Sequence, residues 1–409
     1  MASSFINSKS VKIFIADVID AMPYIKASVS HFADQIVGKK AGESYYFVLR
    51  DAGNPTEGLT IADGDDTTVV EKQVKLTIKN EKNVVDLNVL QSVVDVEDFK
   101  TEIADTYGLR LGAEIQKKVI ETSYFKATVA TYPNAGSDNG WPALARATAH
   151  LRAIRNGAKV FGHLAPEAEA NLSQSALNNF KFADSALGQK WYGENSIGRF
   201  GGADWAYVTD TPTVTIPAAS AISGISAASA VTADGVGTLY ISGPTGNTAT
   251  LPAGLPLQLT SAYVCNSVGM ATNTKFSFIL QSAVTLNGTA LIPATVQSLV
   301  AEDIGSRNIY ISGVTAASAV SGALTCPLSA GVVYDVAQVR CNEVMNWDNI
   351  PLDDIAGAET ANEEVGGVKL KVTKFGNVGT MVNKTRWDVG YLAGIVDERL
   401  VVDAYLPRV

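Results

Sequence analysis

The sequence predicts an α+β fold that is interrupted by an all-β segment. Two hydrophobic periodicities support the α+β class. Apolar and polar residues alternate from Val69 to Lys79, as in a strand, and an apolar repeat with helical spacing begins after Asp95. A third observation is the charge distribution. Residues 211–330 hold five charged side chains in 120 positions, whereas the other 289 positions hold 68. Short β-like runs separated by turn signals fill this charge-poor block, which predicts an inserted all-β module.

Composition limits the class of protein. A chain of 409 residues is long enough for two to three domains at roughly 150 residues each. The net charge is −9, which argues against a protein that grips nucleic acid by neutralising phosphates. Charged residues make up 18%, below the ~25% of an average soluble domain. The low charge indicates that several surfaces are buried or meet partners.

The first elements are two helices and a β-arm. Residues 10–20 and 24–37 have helical periodicity and are separated by Pro23. A short strand is expected at 45–49, followed by a Gly-, Asp- and Pro-rich stretch at 51–68 that is too long for a hairpin turn. The strand from Val69 then returns. Two strands joined by a long polar tip predict a projecting arm.

A long helix follows. Asp95 is a suitable N-cap, and acidic residues occupy the first turn, where the helix dipole favours anions. The apolar stripe recurs every four residues: Ile103, Tyr107, Leu111, Ile115 and Val119. The pattern predicts one helix of roughly 25 residues, about 37 Å long.

The remaining body is α/β. Pro142 is expected at the start of a helix that runs to Arg155, and a strand at 159–164 precedes a helix that begins at Pro166. A Gly-rich loop enters a strand at 197–210. After the charge-poor block, strand patterns return at these positions: Val368, Leu370 and Val372, then 387–404.

No motif for nucleotide binding, zinc or a serine nucleophile is present, so no enzyme, cofactor or metal is predicted. The acidic tip of the arm, with Asp63, Asp65 and Asp66, is interpreted as a solvated turn because it lacks the ligand spacing of a calcium loop. Arg146, Arg152 and Arg155 flank His150 and are interpreted as a solvated or interface face. Three widely spaced cysteines predict free thiols in a reducing compartment.

The order of these elements resembles the major capsid proteins of tailed bacteriophages, which share the Hong Kong 97-type fold. Four segments carry the resemblance: residues 45–79 look like the extended E-loop, 95–123 like the spine helix, 198–208 like a loop and strand of the axial domain, and 375–409 like the closing strands. The position of the charge-poor block is similar to that of the inserted domain in the P-22-type coat proteins of short-tailed phages.

The resemblance implies a domain plan. Its segments are an N-terminal helical arm (1–40), an E-loop β-arm (41–80), a peripheral (P) domain with the spine helix (81–135), a first part of the axial (A) domain (136–213), an inserted β-domain (214–332), and the A-domain return with the P-domain closing strands (333–409).

The resemblance also implies a structural, non-enzymatic role. Copies would form pentamers and hexamers of an icosahedral head around packaged DNA, without sequence-specific DNA binding, with a scaffolding protein and a portal as partners. We expect assembly in the host cytoplasm, location in the virion and no membrane anchor. The candidate assembly residues are Asp63, Asp65, Asp66, Lys72, Lys75 and the helix stripe named above. Covalent crosslinking of Lys72 or Lys75 to Asn377 or Asn383 is not expected, because no motif brings these residues together beside a carboxylate.

Two other classes of protein stay open. A β-rich phage tail or surface adhesin component would use the block at 211–330 as its binding module, but the predicted helices at 95–185 do not suit such a protein. A cytoplasmic enzyme would need a clustered polar constellation, which the sequence does not show.

Overall fold

The structure is a computed structural model. It describes residues 12, 15–18, 44–50, 71–88, 106–133, 140–155, 159–179, 199–200, 202–229, 238–266, 269–297, 299, 307–312, 320–341, 345–350, 359–365, 368–377, 382–395 and 397–408. The fold is α+β, as predicted. It divides into two compact units: the first draws on Met1–Phe47, Val74–Thr122 and Met345–Val396, and the second on Val48–Gln73, Ser123–Val344 and Asp397–Val409.

In chain order, the first strands are β1 Ser44–Arg50, β2 Glu71–Thr77, β3 Lys79–Asn88, β4 Val129–Thr131, β5 Val160–Leu164, β6 Arg199–Phe200, β7 Ala203–Tyr207 and β8 Thr213–Thr215. The strands of the charge-poor block are β9 Ser226–Ser229, β10 Thr238–Ser242, β11 Thr250–Leu251, β12 Pro256–Cys265, β13 Ala271–Ile279, β14 Val284–Thr285, β15 Ile292–Thr295, β16 Ile309–Ile311 and β17 Val320–Thr325. The last are β18 Val333–Cys341, β19 Met345–Ile350, β20 Glu359–Val365, β21 Val368–Asn377, β22 Val382–Ile395 and β23 Val401–Pro407. The helices whose bounds are described are α1 Leu109–Ser123, α2 Trp141–Ile154, α3 Pro166–Asn179 and α4 Ala219–Ile222, and residues 15–18 are also helical. A 3-10 turn at Glu398–Leu400 precedes β23.

The first unit is built on a five-stranded antiparallel sheet. Strand β22 lies in its centre, with β3 along one side and β21 and β19 along the other. Strand β20 forms a hairpin with β21. Alternation along β21 buries Leu370 and Val372 as predicted, but the intervening Lys371 and Thr373 are buried too. Both faces of this strand are therefore covered, in contrast to a sheet with one wet face.

The second unit contains a seven-stranded mixed sheet in the order β4-β23-β18-β5-β7-β6, with β8 also paired to β18. The pairs β4–β23 and β5–β7 are parallel. Helix α2 packs on it through its buried face, which contains Leu144, Ala147 and Leu151. The helix starts with Pro142 in its first turn, as predicted. A Cβ at Gly140 would lie 2.4 Å from Leu406 Cδ2, so this position requires glycine for the close approach of α2 to β23.

The charge-poor block folds as predicted into β-structure. Seven of its strands form one sheet in the order β13-β12-β17-β9-β10-β15, with β16 paired to β12. Its core includes Leu257, Phe276 and Phe278, and the two phenylalanine rings lie 5.0 Å apart between centroids. The same compact unit holds the block and the mixed sheet.

The structure differs from the sequence interpretation in two strands. Strand β3 was missed because its sequence, KNEKNVVDLN, is mostly polar and has no clear alternation. The closing residues 375–409 do not stay together: β22 lies in the sheet of the first unit, whereas β23 lies in the mixed sheet of the second. The position of β23 depends on its backbone pairing with β18. This pairing could not be predicted, because a local apolar pattern does not show which strand will be the partner.

Candidate functional site

The β-arm is the first candidate surface. Strands β1 and β2 form a two-stranded sheet and, within the described residues, pair with no third strand. Lys75 is exposed on β2, and Lys72 lies in the same strand. The acidic tip residues Asp63, Asp65 and Asp66 lie outside the described residues. A ribbon of two strands is marginally stable by itself. The strand edges that no described strand covers could therefore be stabilised by pairing with a neighbour.

The base of the arm is anchored to the sheet of the first unit. Leu76 and Ile78 are buried, whereas Lys75, Thr77 and Lys79 are exposed, which is the predicted alternation. Leu76 packs so tightly on β22 that a Cβ at Gly394 would lie 2.3 Å from its Cδ2 atom. The base is therefore fixed within the subunit. Tyr46, near the start of β1, is 50% exposed and offers apolar surface.

Helix α1 carries the predicted apolar stripe. Leu111, Ile115 and Val119 are buried, and Tyr107 is half-buried in the turn that precedes the helix. Ile103 and the expected N-cap at Asp95 lie outside the described residues. Glu114 and Lys117, on the other side of the helix, are exposed.

Polar contacts show what α1 packs against. Lys118 Nζ lies 2.6 Å from Glu81 Oε2 on β3. The Tyr391 hydroxyl on β22 donates to Glu81 Oε1 at 3.5 Å. Burial raises the pKa of Tyr391 above its usual value, and the nearby carboxylates Glu81 and Glu121 raise it further. Helix α1 therefore lies against the β3–β22 part of the sheet.

A buried polar cluster lies on β23 in the second unit. Asp403 is fully buried; its Oδ1 accepts from Gln338 Nε2 at 3.3 Å, and its Oδ2 accepts from the backbone N–H of Phe125 at 3.1 Å. Gln338 also donates to the carbonyl of Ser123 at 3.1 Å. Burial raises the pKa of Asp403 to about 7, against the opposing effect of its hydrogen bonds. Phe125 has a φ of 67°, a strained conformation for a non-glycine residue, and this cluster holds it.

Further contacts fix the charge-poor block to the mixed sheet. The Tyr405 hydroxyl donates to the carbonyl of Gly254 at 2.6 Å. Ser277 bridges to the segment around β4: its N–H donates to Thr128 O at 3.0 Å, and its hydroxyl accepts from the N–H of Ala130 at 3.1 Å.

Arg399 is another link between the block and the end of the chain. Its guanidinium pairs with Asp397 at 2.8 Å and donates to the carbonyls of Asn266 and Arg307 at 3.2 and 3.3 Å. The sequence analysis missed both Arg399 and Asp403. The partners of Asp403 lie 65 and 278 positions away along the chain. Asp397 is only two residues from Arg399, but the two carbonyls that Arg399 also binds are 133 and 92 positions away.

Among the described residues, no three His, Cys, Asp or Glu side chains are grouped as metal ligands would be. Cys265 and Cys341 are buried and Cys326 is half-buried, all as free thiols. In the β21–β22 register, Asn377 lies opposite Val382 and Asn383 lies opposite Gly376. No helix in the described part of the chain combines the length and the apolar character needed to cross a membrane.

Comparisons with known proteins find similarity in structure only. No family model matches the chain, and no curated protein matches its sequence. The capsid of Ralstonia phage GP4 is similar over 94% of this chain and 91% of its own, with 10% identity and a TM-score of 0.42. The capsid of the cyanophage P-SCSP1u is similar over 90% and 84%, with 8% identity and a TM-score of 0.44. The capsid of an empty GTA particle is similar over 92% and 97%, with 9% identity and a TM-score of 0.42.

Proposed function

We propose that this chain is the structural, non-enzymatic subunit of a phage head shell. The observation that carries the proposal is the order of elements. A two-stranded arm is rooted on an antiparallel sheet, helix α1 supports that sheet, and a mixed sheet follows that is interrupted between β8 and β18 by an all-β block. This is the order of the Hong Kong 97-type capsid fold that the sequence resembles.

The surface chemistry supports assembly with other copies. No third strand of the described residues covers the edges of the arm, and Tyr46 is exposed beside its anchored base. Exposed apolar side chains also lie on the described parts of the chain outside the arm: Val84, Leu109, Tyr240, Met270, Leu291 and Tyr310. Exposed apolar groups and open edges are features that a partner surface would cover. In our proposal the partner is a second copy, and copies form pentamers and hexamers.

The charge balance suits a shell around DNA. A subunit with a net charge of −9 would repel the phosphate backbone, so it could enclose packaged DNA without gripping it. The all-β block would be an inserted domain of the P-22 type. A scaffolding protein, a portal, assembly in the host cytoplasm and location in the virion belong to the same proposal.

Sedimentation velocity of the purified full-length chain tests this function. The proposal predicts discrete species at five and six times the subunit mass, together with much larger closed particles. The adhesin alternative predicts trimers or fibres instead. A single monomeric or dimeric species at every concentration and salt condition, with no larger particles, would contradict the shell function.

A further inference from the structure

The sheet of the charge-poor block branches at β12. On the edge of β12 that faces away from β13, residues 258–259 pair with β17 and residues 262–264 pair with β16. Between these two stretches the register of β12 against β13 shifts, as it does at a β-bulge. Strand β17 follows β9 instead, through Val320–Ala323. Strands β12 and β17 therefore stop pairing after Leu259 and Leu324.

From Val320 to Ala323, the edge of β17 opposite β9 has no strand partner in the described part of the chain. The backbone N–H of Leu324 donates to the carbonyl of Ile225, on the β9 side, at 2.8 Å. Because the backbone groups of an antiparallel strand alternate between its two edges, those of Ser321 and Ala323 point away from β9. These two residues present two N–H donors and two carbonyl acceptors to a further strand.

A groove of about 430 Å³ lies along this edge of β17. Residues 259–261 and Tyr263 of β12 line one side, residues 321–323 of β17 line the other, and Ser312 lies beside them. Residues 321–323 are exposed. The described lining carries several hydroxyl groups and no charged side chain, so the groove suits an uncharged ligand that can form hydrogen bonds.

Lys275 engages a carbonyl with which β12 could continue the ladder. In the β12–β17 register, Thr260 would be the next residue and would lie opposite Ala323. The Lys275 ammonium donates to the Thr260 carbonyl and lies 3.8 Å from the centre of the Tyr263 ring. The β17 edge is therefore left for a strand other than β12.

We propose that this groove binds an extended, uncharged peptide segment of a different protein, which adds to β17 as a strand beside Ser321 and Ala323. A peptide fits this edge because its own N–H and C=O groups repeat at every second residue, the spacing that Ser321 and Ala323 present. A second copy is a poorer occupant, since its charge-poor strands β9–β17 already pair with one another. The site lies within the block and does not depend on whether the chain builds a shell.

Hydrogen exchange of the full-length chain, resolved to single amides by mass spectrometry, tests the site. The probe is the synthetic peptide acetyl-Ser-Thr-Val-Thr-Ser-amide. Its control is the same peptide with every backbone nitrogen methylated, which removes the N–H donors and keeps the side chains. Without peptide, the amides of Ser321 and Ala323 should exchange faster than the amide of Leu324, which is bonded to Ile225. With the probe at about ten times its Kd, about one site in eleven stays empty, so exchange at Ser321 and Ala323 should slow by about tenfold.

A pair of lysine variants locates the binding. Ala323→Lys places a long charged side chain in the groove and should abolish the slowing at Ser321. Ala228→Lys is the matched control, because Ala228 is exposed and lies opposite Ser321 on β9 but does not line the groove. This control should respond to the probe as wild type does, and an equal response of Ala323→Lys overturns the proposal.

The wild-type chain alone decides the case if a variant does not fold. The proposal is overturned if the probe does not slow exchange at Ser321 and Ala323, or if the methylated peptide slows it equally. Slow exchange of these two amides without peptide also overturns it, because the edge is then already covered. If that protection grows with protein concentration, the occupant is a second copy rather than a different protein.

Discussion

Among single residues, Asp403 shows most clearly how burial changes chemistry. The carboxyl group is fully buried, and its pKa is raised from 3.8 to about 7 because desolvation outweighs two hydrogen bonds. Its folded pKa exceeds its unfolded pKa, so the folded state retains a proton that the unfolded state releases. The stabilisation linked to this group is therefore complete below about pH 4 and is lost as pH rises through about 7.

The variant Asp403→Asn should remove this pH dependence, because its side chain stays neutral. The variant should become more stable relative to wild type as pH rises from about 4 to about 8, by at most about 4 kcal/mol for a shift of roughly three pKa units. Urea unfolding at a series of pH values measures the difference. The exposed Asp210→Asn provides the control and should show no such trend. Parallel stability curves for wild type and Asp403→Asn would contradict the account of Asp403.

A second residue-level prediction concerns the helix stripe. Leu111→Ala and Ile115→Ala each remove a buried aliphatic group and should cost about 2 to 5 kcal/mol. Glu114→Ala should cost little because Glu114 is exposed, and Lys118→Ala should cost about 1 kcal/mol or less because its ion pair with Glu81 is partly exposed. Urea midpoints of the four unassembled variants measure these costs. Equal costs at all four positions would mean that the helix does not pack through this stripe.

Secondary-structure elements differ in how far the sequence predicts them. Helix α2 was placed within one residue at each end, because Pro142 and the Asn-Gly pair at 156–157 are strong local signals. Strand β1 was also placed within one residue at each end. In the described part of the strand predicted from Val69 to Lys79, β2 ends at Thr77 and β3 begins at Lys79, although the predicted burial of Leu76 and Ile78 is confirmed. Strand β3 could not be predicted, since its polar sequence forms a strand only through ten register pairs with β22.

The arm yields an element-level prediction. Deletion of residues 54–66 should leave a folded subunit, because the buried contacts at its base, such as Leu76 on Gly394, lie outside the deleted segment. The deleted chain should not form closed shells, since the projecting part would no longer reach a neighbour. Circular dichroism checks folding and sedimentation checks assembly. Shells of normal yield and stability from this deletion would exclude the arm as an inter-subunit clamp.

In the whole molecule, the charge-poor block combines its own sheet with many ties to the rest of the second unit. Composition alone predicted its β character and position. It could not predict the ties, which depend on single atoms such as the Gly254 carbonyl and the Ser277 hydroxyl. The buried polar cluster was hard to predict for the same reason: Gln338 and Asp403 are 65 positions apart along the chain.

A fragment that contains residues 211–330 with short flanks tests whether the block is a domain. We expect a β-type circular dichroism spectrum and cooperative urea unfolding, because its strands β9–β17 pair among themselves and its core is buried within the block. The fragment should be less stable than the block in the full chain, because it lacks Tyr405 and Arg399. A disordered spectrum would mean that the block depends on the mixed sheet to fold.

Electron microscopy of the purified full-length chain tests the central claim most directly, because it images the particles that the subunit forms. The proposed shell function predicts closed icosahedral particles, accompanied by rings with five- and sixfold symmetry in the class averages. Fibres, trimers or a uniform field of small single particles, under conditions in which the chain is folded, would contradict it.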